Sequence, residues 1–325
     1  MIYSLFRWMT EIALHWFYSS IQVAGRTRLP PSGPVLLAAS HHNALVDALI
    51  AVRISPRPLT LTAKATLMDN VLLAPLLRLA GVVPLRRVSD EPKRSEPRPA
   101  DPSRNASAFT SLLDRLEEGG MILIFPEGKS HSEPALAPLK TGVSRIALEA
   151  RDSRGIQGLQ IVPLGLNFED KGNPGTAVLA EFGEPVLMDA IGPTSVDELT
   201  AEVSRRLAAV SLKQPSPAPD REVVRRRGAG SFLVSPVAAW GELTHRYIIN
   251  FARDLAVARS RNPDDPAMLT IVYSLILILI SYVLQFAVIA LLFGPLLAGL
   301  FVATLPVSAY WAAHKAHPRS DVRVI

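Results

Sequence analysis

Eight residues concentrate the groups able to do chemistry: Ser40-His41-His42-Asn43-Ala44-Leu45-Val46-Asp47. They follow the apolar run Pro34–Ala39, which reads as a buried strand, and precede Ala48–Val52, which suits a helix. A polar cluster where a strand hands over to a helix faces a cleft. His42 and Asp47 are five apart, so a continuous helix would put them on different faces. With His42 in the turn and Asp47 one turn into the helix, the carboxylate can reach back to the imidazole. That contact would fix the tautomer and leave the other ring nitrogen to take a proton from a hydroxyl. An Asp capping a helix beside a surface His is the plainer alternative. A metal bound by His41, His42 and Asp47 is a further one, but no second ligand cluster stands at metal-site spacing.

Three other apolar runs end in the same way. The run through Ala63 ends at Lys64, and Val82-Val83-Pro84-Leu85 ends at Arg86 and Arg87. Met121–Phe125 ends at Pro126-Glu127-Gly128-Lys129-Ser130-His131, and Lys140 opens the helix beyond. In a parallel sheet the carboxyl ends of the strands meet at one edge. His42, Asp47, Lys64, Arg87, Glu127 and Lys140 would then share one cleft. A base, an orienting acid and several cations suit deprotonation of a hydroxyl on a phosphate-bearing substrate.

The elements that must position these groups alternate. Strands are expected at Val35–Ala39, Leu59–Ala63, 81–87, Met121–Phe125, Leu159–Phe168 and Ala177–Leu187. Helices are expected at 66–80, Asn105–Glu118, Thr141–Ala150 and Val196–Val210. This is an α/β domain with a partly parallel, mixed sheet flanked by helices. Residues 89–105 read as a loop, and 1–28 hold an amphipathic helix at a membrane interface, with Arg7 and Glu11 an i,i+4 pair. No cleavable signal peptide is evident. Residues 213–230 read as a linker and 231–266 as an amphipathic helix.

The chain has 325 residues, no Cys and a net charge of +5, with a pI near 9.6 and a mean hydropathy of +0.24. Absent Cys excludes a thiol nucleophile and a disulfide framework. The basic balance favours an anionic membrane surface, because Arg225-Arg226-Arg227 lacks the interleaved aromatics of a nucleic-acid binder. Between Asp265 and Lys315 only His314 is ionisable in the acidic or basic sense. Residues 267–314 therefore read as a transmembrane hairpin turning at Phe293-Gly294-Pro295, or as a re-entrant one. Basic flanks, ending in the tail 315–325, put both ends in the cytoplasm.

The motifs also resemble the glycerophospholipid acyltransferase family, which includes lysophosphatidate and glycerol-3-phosphate acyltransferases. His42-x4-Asp47 is similar to its first block. Lys64 through Gly81–Arg87 resembles the second, Phe125-Pro126-Glu127-Gly128 the third and Ile161-Val162-Pro163-Leu164 the fourth. The four occur in order across residues 20–210. The resemblance implies the glycerolipid acyltransferase fold for a catalytic domain at 29–212. It implies His42 as general base and Asp47 as its orienting acid. Arg87, with Arg86 and Lys64 nearby, would hold the acceptor phosphate. Glu127, Gly128 and Lys140 would shape the acceptor site, Asn43 would assist the oxyanion, and Pro163 would line the acyl side. It implies no metal and no cofactor; the co-substrate is acyl-CoA or acyl carrier protein. The acceptor is lysophosphatidate, with glycerol 3-phosphate or its ketone analogue as the alternative. The setting is the cytoplasmic face of a membrane, the plasma or inner membrane of a bacterium. Two departures stand out: His41 occupies a position where Asn is common, and Lys129-Ser130 replaces a common Thr-Arg. A serine hydrolase is excluded because Gly128-Lys129-Ser130-His131-Ser132 is no nucleophile elbow. The rival outside enzymes is an inactive lipid-binding scaffold.

Overall fold

A computed structural model describes residues 17–65, 81–85, 106–131, 135–171, 176–192, 194–211, 213, 222–223, 234–260 and 266–315, together with 7, 10, 11, 14 and 68. Nine strands form one mixed sheet among these residues. In chain order they are β1 (Ser20–Ala24), β2 (Val35–Ala39), β3 (Leu59–Lys64), β4 (Val83–Leu85), β5 (Met121–Ile124), β6 (Gln160–Phe168), β7 (Ala177–Phe182), β8 (Val186–Leu187) and β9 (Glu222–Val223). Their spatial order is β4-β3-β5-β2-β6-β7-β1-β9, with β8 beside β6. The five strands from β4 to β6 are mutually parallel, and β7 and β1 run the other way. The carboxyl ends of the parallel five therefore share one edge.

Side chains alternate across the sheet and build a core on each face. Leu37, Leu123, Val162 and Leu164 turn to one face, where Val46, Leu49 and Ile50 of helix α1 (Ala44–Ile54) cover them. Leu36, Ile122 and Ile161 turn to the other. There they meet Leu112 and Leu116 of α2 (Ala106–Glu117), Ile146 of α3 (Gly142–Leu148), and Leu199 and Val203 of α4 (Val196–Val210). Each such fully buried aliphatic contributes about 1.5–3 kcal/mol. Pro163 falls in the interior of β6, where β8 pairing has ended at Ile161 and β7 pairing has not begun before Leu164. A missing N–H costs the ladder nothing there.

Only part of the N-terminal segment lies among the described residues. Its described helical residues include Leu14 and Phe17, both buried in the first core cluster. Tyr18 joins them, and Ser20–Ala24 is a strand parallel to β7. Arg7 and Glu11 both reach Arg53 of α1. The described residues Leu14, Phe17 and Tyr18 thus pack on the sheet. β1 alternates polar and apolar residues over Ser20–Val23, whereas β9, two residues long, is too short to show a period. The helix expected at 66–80 and the loop expected at 89–105 lie outside the described residues.

Three further helices follow: α5 (Val234–Arg259), α6 (Pro266–Phe293) and α7 (Pro295–Lys315). Leu269–Phe293 and Pro295–Ala312 are long and apolar enough to cross a membrane, with mean hydropathies of 2.8 and 1.5. Two apolar C-terminal helices of this kind indicate membrane association.

Candidate active site

The turn after β2 is the centre of the site. Ala44 opens α1 at φ +43°, a left-handed conformation unusual for a residue with a Cβ. This tight entry brings Asp47, which is fully buried, back beneath the turn. Its Oδ2 accepts from the Asn43 backbone N–H at 2.7 Å and from His41 Nδ1 at 2.9 Å.

The histidine held by Asp47 is therefore His41, not His42. The turn leaves the His41 ring above the carboxylate and directs the His42 ring toward the loop after β5. His41 stacks on Phe125 with ring centroids 4.0 Å apart. Its Nε2 has no hydrogen-bond partner among the described residues, and its side chain is 11% exposed. An imidazole fixed at Nδ1 by a carboxylate, with Nε2 open, has the arrangement of a general base.

His42 sits on the other side of the turn. Its ring meets that of His131 edge-on at 4.8 Å. Burial pushes the His42 imidazole below its ordinary value; Glu127 and Asp47 oppose that shift, and His131 adds to it. His42 Nε2 is buried without a partner among the described residues.

The loop after β5 braces this turn. Glu127 Oε1 accepts from the His41 backbone N–H at 2.7 Å. Its Oε2 accepts from the Ala137 N–H at 2.9 Å and from His131 Nε2. The His131 N–H returns a bond to the His41 carbonyl at 3.2 Å. Gly128 turns the chain at φ +79°, the left-handed region that glycine tolerates. Glu127 is thus committed to protein donors rather than to an acceptor substrate.

Asn43 is committed in the same way. Its two amide protons go to the Tyr18 hydroxyl at 2.9 Å and the Lys171 carbonyl at 3.0 Å. None remains for an oxyanion. Lys171, in the loop after β6, places Nζ 3.0 Å from the His42 carbonyl and 3.4 Å from that of His131. Burial and the nearby Asp47 push the Tyr18 phenol well above its ordinary value, so it stays a neutral partner.

The remaining expected residues divide. Lys64 ends β3 at the same sheet edge. Arg86 and Arg87 lie outside the described residues, directly after β4. Lys140 is exposed, and its backbone N–H bonds Pro126 at 2.7 Å. Pro163 departs from its expectation. It faces the other side of the sheet, where a Cβ built on Gly183 would lie 3.2 Å from it and 3.3 Å from Val210. Alternation along β6 explains this: Val162 and Leu164 take the face of His41 and Phe125. His131, Lys171 and Tyr18 were not singled out by sequence as site residues. Only His131 left a signal, four residues after Glu127. Among the described residues, no cluster of three or more His, Cys, Asp or Glu side chains fits a metal ion.

Comparison with known proteins adds to this geometry. Residues 20–167 match the family model described as Acyltransferase. A glycerol-3-phosphate O-acyltransferase of Saccharomyces cerevisiae is 30% identical over 51% of this chain and 22% of its own length. An uncharacterised acyltransferase of Schizosaccharomyces pombe is 23% identical over 64% of this chain and 42% of its own. A chloroplastic 1-acyl-sn-glycerol-3-phosphate acyltransferase of Brassica napus is 22% identical over 48% and 39%. The chain spans less than half the length of each of these relatives. The matched residues include the His41–Asp47 pair and Glu127, and end within β6. Residues 20–167 are therefore similar to the acyltransferase family.

Proposed function

We propose that this protein is a membrane-bound glycerolipid O-acyltransferase in which His41 is the general base. The observation that carries the reading is the His41–Asp47 pair with Nε2 open at the sheet edge. His41 Nε2 takes the proton of the acceptor hydroxyl. The oxygen forms a bond to the thioester carbonyl carbon of acyl-CoA or acyl carrier protein. The tetrahedral adduct collapses with loss of the C–S bond, and the thiolate recovers the proton from the imidazolium. A thiolate is a good leaving group, so no acyl-enzyme is required. Lys64, Arg86 and Arg87 follow strands at the same edge and supply cations for the acceptor phosphate.

Glycerol 3-phosphate is the acceptor we favour. Relatives named for that acceptor match at 30% identity over 51% of this chain and 35% over 24% of it, against 22% over 48% for one named for 1-acyl-sn-glycerol 3-phosphate. Lysophosphatidate, the first expectation from the motifs, is the second reading. The reaction takes place at the cytoplasmic leaflet.

Membranes carrying the wild type or His41→Ala are to be incubated with labelled acyl-CoA and each acceptor in turn. Label passing to glycerol 3-phosphate, and lost in the variant, is the expected result. Transfer to lysophosphatidate alone selects the second reading. Failure with both, and again with acyl carrier protein, from folded protein would favour a lipid-binding scaffold.

A further inference from the structure

We infer that α5, α6 and α7 form one unit seated in a single membrane leaflet, on the side of the catalytic domain. The inference rests on the membrane association of the apolar helices and concerns how they sit.

The helix α5 is not a separate element preceding a hairpin. It runs beside both apolar helices for most of its length. His245, fully buried, places Nε2 2.7 Å from the Tyr282 hydroxyl midway along α6. Trp240 meets Phe301 of α7 edge-on at 5.9 Å. Gly241 lies so close to α7 that a Cβ there would fall 2.0 Å from the Ser308 carbonyl oxygen. Small residues (Ala238, Ala252, Ala256, Ala298, Ala312) fill the rest of the seam. The start of α5 therefore lies toward the Gly294 turn. Its end lies at the start of α6, and there Ile271 packs on the catalytic core and Thr270 is buried.

This arrangement conflicts with a crossing hairpin. If α6 and α7 crossed the hydrocarbon, Val234 would emerge on the far side together with Gly294. Yet Val223 is paired to β1 in the catalytic sheet. Only residues 224–233 would connect the two sides, and they include Arg225, Arg226 and Arg227. Eleven Cα steps reach about 40 Å when fully extended, against a hydrocarbon core about 30 Å thick. They would cross as extended chain, with unpaired backbone groups and three guanidinium ions in lipid. A helix face carrying Glu242, Arg246, Asn250 and Arg253 would also lie at mid-membrane depth.

A unit lying in one leaflet removes each conflict. The stripe Glu242, Arg246, Asn250 and Arg253 recurs every three or four residues and turns to the headgroups, where its arginines meet anionic lipid. The adjoining stripe of Trp240, Leu243, Tyr247 and Phe251 takes the interface. No residue in the window of highest hydropathy in α6 is fully buried by protein, and its exposed side chains, such as Leu279, Val283 and Leu284, face the acyl chains.

The native chain has no Cys, so single thiols report cleanly. Full-length Leu296→Cys and Phe293→Cys, next to the turn, and Ser107→Cys, at an exposed position of α2, are added to preformed phosphatidylglycerol-containing vesicles loaded with one impermeant maleimide and bathed in a second of different mass. Flotation is scored first. The expected result is flotation of all three, full labelling of Ser107→Cys from outside, and no lumenal labelling of any variant until detergent is added. Lumenal labelling of either turn variant, with Ser107→Cys labelled only from outside, overturns the single-leaflet arrangement. Folded protein that does not float overturns the membrane reading beneath it.

Discussion

Two buried carboxylates in this molecule each hold an imidazole, and they do opposite things with it. Asp47 takes His41 by Nδ1 and leaves Nε2 open. Glu127 takes His131 by Nε2, and the remaining Nδ1 is buried without a partner among the described residues. Asp47 spends its other contact on the turn that carries its own histidine. Glu127 spends two more on His41 and Ala137, tying two loops together. A His–carboxylate pair thus suits a base or a brace according to whether its second nitrogen is open or buried. Residue types alone do not distinguish the two.

The sharpest way to break this comparison is to remove each imidazole in turn. His41→Ala is expected to lower kcat by about 10²–10⁴-fold, the usual worth of a positioned general base. Asp47→Asn should approach the same loss, because the amide no longer favours the tautomer that bares Nε2. His131→Gln should lower kcat far less. A steady-state assay with both acceptors checks all three. Equal losses in His41→Ala and His131→Gln would end the distinction between base and brace.

Glu127→Gln tests the brace directly. A glutamine cannot accept from both loops without turning its own NH2 group against a buried donor. A buried donor left unpaired costs about 1–3 kcal/mol. The expected result is a lower midpoint in chemical denaturation, together with a loss of kcat smaller than that of His41→Ala. Unchanged stability with lost activity would make Glu127 a participant in the chemistry.

His42 supplies the next test, because its spacing to Asp47 marks it as the base while its surroundings mark it as packing. Burial holds its pKa below the ordinary value, so the native state binds fewer protons than the unfolded chain at mildly acid pH. Its contribution to stability is present above the unfolded pKa, about 6.5, and is lost as pH falls below it. His42→Gln should flatten the fall in stability between about pH 7 and pH 5, and should retain activity at pH 8. Loss of activity comparable to His41→Ala, with the protein folded, would return the base to His42.

The contrast also explains what could be read in the sequence. The strands β2, β5 and β6 were legible because continuous apolar runs mark buried parallel strands, and the polar residues after them mark the edge. The identity of the base was not. Adjacent histidines at 41 and 42 differ only in which way the turn throws their rings, and that follows from the left-handed Ala44 and from bonds to Glu127 and Lys171. Both partners are distant in sequence. Tyr18 was read with a lipid-facing helix because aromatic bulk looks alike whether it meets lipid or a sheet. Pro163 was assigned to the acyl side by its motif, although strand alternation from Val162 sends it to the opposite face.

The smallest expected effect isolates the turn itself. Ala44 holds φ +43° at the start of α1, and a non-glycine residue there carries strain of about 1–3 kcal/mol. The strain is offset by the bonds that Asp47 makes to Asn43 and His41, which exist only if the turn is tight. Ala44→Gly removes the Cβ clash but also frees the unfolded chain, which costs about 0.5–1 kcal/mol. The two terms nearly cancel, so the denaturation midpoint should shift little and in the stabilising direction. Activity should be kept, since the Asp47 bonds do not involve the Ala44 side chain. If Ala44→Gly instead lowered kcat with stability unchanged, the methyl group would be holding the turn in register. The pairing of Asp47 with His41 over His42 would then depend on one carbon atom.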